Sequence, residues 1–220
     1  MLQKDSYKQR DDQMRHTSEW DAIRHPTSWD EHIAYWISQI GSPPAMGLLT
    51  LILIAVIWAQ PSIWIWGGVY LTLGVLLPLL YLVAQVRRGN ITDLDVHFKE
   101  QRSKPFIVMM VGLTLTWIAM RVGRAPLIMV ILVSVSLLQM LPLFLITYRW
   151  KISFHAATAA AVSVIWVHIL GKGAYPLLLV TPAVAWSRIK LRRHTPAQTL
   201  AGILLGSSVV LFTLWLVASG

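Results

Sequence analysis

From Pro43 to the end of the chain, apolar residues run in long, nearly unbroken blocks separated by short polar intervals. The blocks fall at about 43–59, 62–86, 105–121, 126–148, 154–171, 174–187 and 196–218. At about 1.5 Å of rise per residue, most are long enough as helices to cross most or all of a hydrocarbon core of about 30 Å. The pattern therefore predicts an all-α polytopic integral membrane helix bundle with six to seven transmembrane helices. The sixth block has about fourteen residues and contains both Pro176 and Pro182, which predicts a broken or tilted helix rather than a straight crossing. Gln60-Pro61, Arg121 to Arg124 and Gly171-Lys172-Gly173 read as tight turns.

Residues 1–42 differ in kind from residues 43–220, which form the membrane domain. The first segment is polar and has no apolar core of signal-peptide type, so cleavage is not expected. Within it Ser28 is placed to cap a helix, with Glu31 three residues on. Ile33, Trp36, Ile37 and Ile40 share one face, and Gly41 supplies a stop. Two placements fit this amphipathic helix: on the membrane surface, or packed on the loops of its own protein.

Composition narrows the class. The chain is 55% hydrophobic and 13% charged, about half the charge of an ordinary soluble domain, which excludes a disordered chain and a water-soluble globule. With no cysteine, a disulfide framework, a zinc-thiolate site and a cysteine nucleophile are also excluded. The net charge of +9 is unevenly placed. All ten carboxylates lie in the first hundred residues, whereas residues 101–220 hold eleven Lys and Arg and no acid.

If the blocks pair as hairpins, residues 1–42, 88–104, 149–153 and 188–195 lie on one face of the membrane, and that face, counting Arg87 at its edge, holds sixteen of the nineteen Lys and Arg. The positive-inside rule makes it cytoplasmic, together with the N-terminus. The basic charge thus expresses topology and predicts no nucleic-acid partner. The expected location is a cell membrane, bacterial in type, and the first partner is the lipid bilayer.

Three of the polar segments on that face lead directly into a block, and each junction is rich in groups suited to anions. Arg102, Ser103 and Lys104 precede Pro105; Lys151, Ile152 and Ser153 precede Phe154-His155; Ser187-Arg188 and His194-Thr195 precede Pro196. Proline in the first turn and Ser or Thr before it suit helix starts. Helix N-termini offer unpaired N–H groups and the positive end of the helix dipole, and Arg and Lys add formal charge, so convergent junctions of this kind suit a phosphate. Imidazole is the side chain best able to move protons or attack phosphorus near neutral pH. The residues themselves thus predict phosphoryl chemistry at a membrane surface.

Their spacing resembles a known family. Ser187-Arg188, five residues, His194, three residues and Gln198 is similar to the third signature of the type 2 phosphatidic acid phosphatase superfamily, Ser-Arg-x5-His-x3-Asp. Ile152-Ser153-Phe154-His155 resembles the second, Pro-Ser-Gly-His, and His97, six residues, Lys104-Pro105 resembles the first, Lys-x6-Arg-Pro. The resemblance covers about residues 62–218. It implies a membrane lipid phosphatase in which His194 attacks phosphorus to form a phosphohistidine and His155 protonates the leaving oxygen. Arg188, Ser153, Lys104, Arg102, Ser187 and His97 would hold the phosphate, the substrate would be a lipid phosphate or diphosphate, and no metal or other cofactor would be required.

The departures are specific. Gln198 stands where the family has an Asp that polarises the nucleophile, and Gln can fix a tautomer but cannot stabilise an imidazolium by charge. His194-Thr195-x-x-Gln198 is similar to the pattern of the dolichyl diphosphate phosphatase branch, which implies a polyprenyl substrate. Asp93, Asp95 or Glu100 is an alternative source of the missing charge. His97 and Lys104 replace Lys and Arg, and Lys lacks the planar fork of Arg. A catalytically inactive relative, serving as a lipid-binding or structural subunit with partners in a membrane complex, is the competing expectation. Asn90-x-x-Asp93-x-Asp95 alone is too little for a magnesium-dependent prenyltransferase, since no later acid supplies its second motif. The Lys190, Arg192 and Arg193 run suits a solvated loop at lipid headgroups, and Gly202-x-x-x-Gly206 suits close internal helix packing.

Overall fold

The computed structural model describes residues 26–94, 96 and 101–219. Among these the elements are α1 (Trp29–Ile40), α2 (Pro43–Trp58), α3 (Pro61–Arg87), α4 (Ser103–Val122), α5 (Leu127–Arg149), α6 (Phe154–Leu170), α7 (Val180–Lys190) and α8 (Pro196–Ser219), with no strand. Local chemistry explains the starts. Pro43, Pro61 and Pro196 open their helices, where a missing N–H costs nothing, and the Ser153 hydroxyl caps α6 by accepting from Ala156 N–H at 3.3 Å.

Four helices, α3, α4, α5 and α8, are long and apolar enough to cross a membrane. The α1–α2 pair, bent by 55°, passes the same test as one unit, and α6 is a shorter apolar helix. The block expected at 174–187 is divided as its two prolines predict: a 3-10 stretch, Lys172–Leu179, contains Pro176 and runs into α7. Large apolar side chains such as Ile65, Leu145 and Leu204 face outward, while Ile63, Met120, Met129 and Leu143 fill the interior. An outer surface this apolar suits lipid rather than water.

α6 and α8 pack backbone against backbone. A Cβ on Gly206 would lie 2.0 Å from the Ala157 carbonyl oxygen, and one on Gly202 would lie 2.5 Å from that of Ser153. The spacing read as internal packing thus lets two backbones touch, and it brings the N-termini of α6 and α8 side by side.

α1 starts as expected, with the Glu31 carboxylate accepting from Thr27 N–H at 2.9 Å and from Ser28 N–H at 3.5 Å. It packs on α7 through its small residues, with Ala34 and Ser38 buried and Lys190 paired to Asp30. The face carrying Ile33, Trp36 and Ile40 points outward. The docking face is thus the small one and meets a helix rather than loops, while the large apolar face points away from the protein. Gly41 ends α1 without a left-handed turn, and its need is spatial: a Cβ there would lie 2.4 Å from a Val184 methyl.

Gly206→Leu is expected to destabilise the folded protein in mild detergent by about 1–3 kcal/mol, because the new side chain meets backbone. Leu204→Ala, on the outward face of the same helix, should change stability by less than about 0.5 kcal/mol. Denaturant titration followed by circular dichroism checks both.

Candidate functional site

The segments that lead into α4, α6 and α8 meet at one end of the bundle. Ser153 N–H donates to the Gln198 carbonyl at 3.2 Å, Arg102 donates to the Ile152 carbonyl at 3.4 Å, and Arg193 pairs with Asp93 at 3.3 Å. These contacts tie the 88–104, 149–153 and 188–195 segments together. α1 joins them where Arg188 donates to the Ser38 hydroxyl at 2.6 Å.

His194 is placed by its own loop. The Arg188 carbonyl accepts from the N–H groups of both Arg193 and His194, which folds the chain back beyond α7. Thr195 and Gln198 then form a reciprocal cap: Gln198 N–H donates to the Thr195 hydroxyl at 3.3 Å, and Thr195 N–H donates to Gln198 Oε1 at 3.1 Å. That second bond orients the amide, and the same Oε1 lies 3.2 Å from His194 Nδ1. The Lys151 carbonyl oxygen lies 3.3 Å from the same nitrogen. Both neighbours are acceptors, so Nδ1 carries the ring proton and Nε2 keeps its lone pair.

Burial lowers the His194 pKa well below the ordinary value, and the electrostatic influence of Arg188, Arg102, Lys151 and His155 lowers it further. The ring is therefore neutral at pH 7, with a fixed tautomer beside fixed positive charge. Among the described residues no three His, Asp or Glu side chains converge as metal ligands would.

His194, His155, Arg188 and Arg102 all line one cavity of about 380 Å³. Arg188 is 2% exposed and Arg102 6%; Arg102 also donates to the Val96 carbonyl at 2.8 Å. Buried guanidinium groups at a cavity wall are costly unless bonded, and here they donate to a hydroxyl and to carbonyls. Below these cations the wall becomes mostly apolar, formed by Phe106, Met109, Leu113, Leu132, Val162 and Ile165 among others.

The remaining residues predicted for the site are distributed differently. Lys104 is exposed and does not line the cavity, so the cation supplied by the first junction is Arg102, two residues earlier. Ser153 is fully buried as a helix cap, and the Ser187 hydroxyl donates to the Val184 carbonyl at 2.7 Å within its own helix. Both stabilise the junctions without facing the cavity. Asp93 is held by Arg193 rather than by His194. His97, Asp95 and Glu100 lie outside the described residues.

Sequence reasoning missed Ser38, which orients Arg188, and the polar residues Gln139, Thr158 and Tyr70 along the cavity. Polar residues inside apolar blocks were the available signal for the last three; nothing in the sequence pattern pairs Ser38 with residue 188.

No protein-family model, curated protein or solved structure matches this chain significantly. What fold and composition define is the class, an all-helical bundle with membrane-type helices.

Because the folded site refuses a proton that His194 accepts in the unfolded chain, its contribution to stability is present at neutral pH and is lost as the pH falls below about 6.5. His194→Gln should flatten that part of the stability–pH profile, measured by thermal unfolding between pH 7.5 and 5.

Proposed function

We propose that the protein is a membrane lipid phosphatase, hydrolysing a lipid phosphate or diphosphate with an isoprenoid tail through a phosphohistidine. One arrangement carries this reading: a neutral imidazole with its Nδ1 proton held by Gln198 and Lys151, set beside two buried arginines and a second histidine at the head of an apolar cavity. The arginines would hold the phosphoryl oxygens. The Nε2 lone pair of His194 forms a bond to phosphorus as the bond to the leaving oxygen breaks, and His155, as imidazolium, gives that oxygen its proton. Water then attacks the phosphohistidine, losing a proton to His155, and the nitrogen–phosphorus bond breaks to release inorganic phosphate. Gln198 serves as an orienting group, and the neighbouring cations offset charge on phosphate rather than on the imidazole.

Phosphate release by purified protein from prenyl diphosphates, prenyl monophosphates and phosphatidate tests this reading. His194→Ala is expected to abolish turnover with insertion unchanged, and His155→Ala to slow it by about 10²–10⁴-fold. Retention of turnover in His194→Ala would refute the mechanism.

A second reading rests on Asp93, whose pairing with Arg193 leaves a carbonyl and an amide, neither of them charged, as the observed partners of His194 Nδ1. A catalytically inactive lipid-binding or structural subunit of a membrane complex accounts for that. It predicts no turnover and stoichiometric partners that co-purify in mild detergent.

The reading also assigns six or seven crossings, adding α2, α6 and the 172–190 stretch to the long helices, with the His194 end and the N-terminus cytoplasmic. Arg10→Cys, the only thiol in the chain, is expected to resist an impermeant maleimide applied outside intact cells and to react after lysis. Labelling without lysis reverses the orientation.

A further inference from the structure

The cavity runs far deeper than a phosphate requires. Along α6 its wall extends from His155 to Ile165, and along α4 from Arg102 to Leu113, which at 1.5 Å per residue is about 15 Å. That is one leaflet of a hydrocarbon core of about 30 Å. Still closer to the far end, Ile63, Met120 and Met129 are fully buried and fill the bundle, so the cavity has a floor.

Polar groups along this depth are turned toward the protein. The Ser136 hydroxyl donates to the Leu132 carbonyl at 3.0 Å, Gln139 donates to the Thr158 hydroxyl at 3.4 Å, and Thr50 donates to the Met46 carbonyl at 2.8 Å while accepting from Trp166 at 3.0 Å. A wall whose hydroxyls are committed to other protein groups favours hydrocarbon over a hydroxylated or charged ligand. The cations, in contrast, are gathered at the His194 end. The ligand that matches both ends is an amphiphile with an anionic head and an apolar chain.

We infer that the cavity below His155 and His194 is a tail chamber, which receives the hydrocarbon chain of the lipid phosphate inside the bundle and measures it against a floor one leaflet deep. The inference rests on the phosphate reading for its head group and on the cavity alone for its tail. It makes chain length a selected property: a tail of about fifteen carbons fills the chamber, and a five-carbon tail leaves most of the wall without a partner. Ala161 and Val135 lie on the lower wall, on two different helices, where a larger side chain would shorten the space.

Binding of non-hydrolysable prenyl phosphonates of five, ten and fifteen carbons, and of the fifteen-carbon alcohol, is measured on the full chain in lipid nanodiscs by calorimetry. Affinity should rise at least a hundredfold from five to fifteen carbons. Ala161→Phe and Val135→Phe should each weaken the fifteen-carbon ligand at least tenfold and leave the five-carbon ligand unchanged, with folding checked by elution volume and helical content. Equal affinity across the series, or unchanged fifteen-carbon binding in both folded variants, overturns the chamber. If the alcohol binds as tightly as the phosphonate and still responds to Ala161→Phe, the chamber stands and the phosphate reading fails. If phosphonate binding depends on Arg188 but not on chain length, the phosphate reading stands and the chamber fails.

Discussion

Backbone contact between α6 and α8 is the constraint from which the site follows. Glycines at 202 and 206 remove the Cβ atoms that would strike the Ser153 and Ala157 carbonyls, so the two helices run side by side from adjacent starts. The Ser153 N–H can then reach the Gln198 carbonyl, and the histidine before α8 comes level with the histidine in the first turn of α6. A wider spacing would separate the Lys151 carbonyl from the His194 ring and release its tautomer.

Among the described residues no carboxylate bonds to His194, and this sets the electrostatics of the site. His194 sits among Arg188, Arg102, Lys151 and His155, and each of these neighbours makes the imidazolium form less favourable. A neutral imidazole is a nucleophile and an acceptor, whereas a protonated one is neither. In a triad, a carboxylate would stabilise the protonated ring; here Gln198 and a main-chain carbonyl give orientation without charge. The same cations make the head of the cavity electrostatically favourable to an anion, so one charge distribution lowers the basicity of the histidine and sets the sign of the potential beside it.

α1 links this chemistry to the chain's polar segment. It meets α7 through small residues, reaches Arg188 through Ser38 and Lys190 through Asp30, and keeps Ile33, Trp36 and Ile40 on the outside. An amphipathic helix usually buries its apolar face in its own protein. This one reverses the rule, which suits a helix lying between a protein and a lipid surface.

Much of this was legible from order along the chain. Long apolar blocks admit only helices in a hydrocarbon solvent, because every peptide group must be bonded within its segment, so the helices and their turns follow from hydropathy and proline placement. The Ser28 and Gln198 caps are local as well, since they need only a spacing of three residues. Which cations face the cavity was not legible: Lys104 carries the expected spacing, yet it is exposed while Arg102 is buried, because two residues along a helix turn a side chain through about 200°. Ser38 could not be paired with Arg188 from sequence, since 150 residues separate them and only the docking of α1 on α7 brings them together. Sequence by itself determined the helices, their polarity and the gathering of histidines and cations at one end, because these depend on local periodicity and solvent. Tertiary structure alone decided which of those groups share a cavity and how deep it runs, because both depend on the direction in which packed helices turn their side chains.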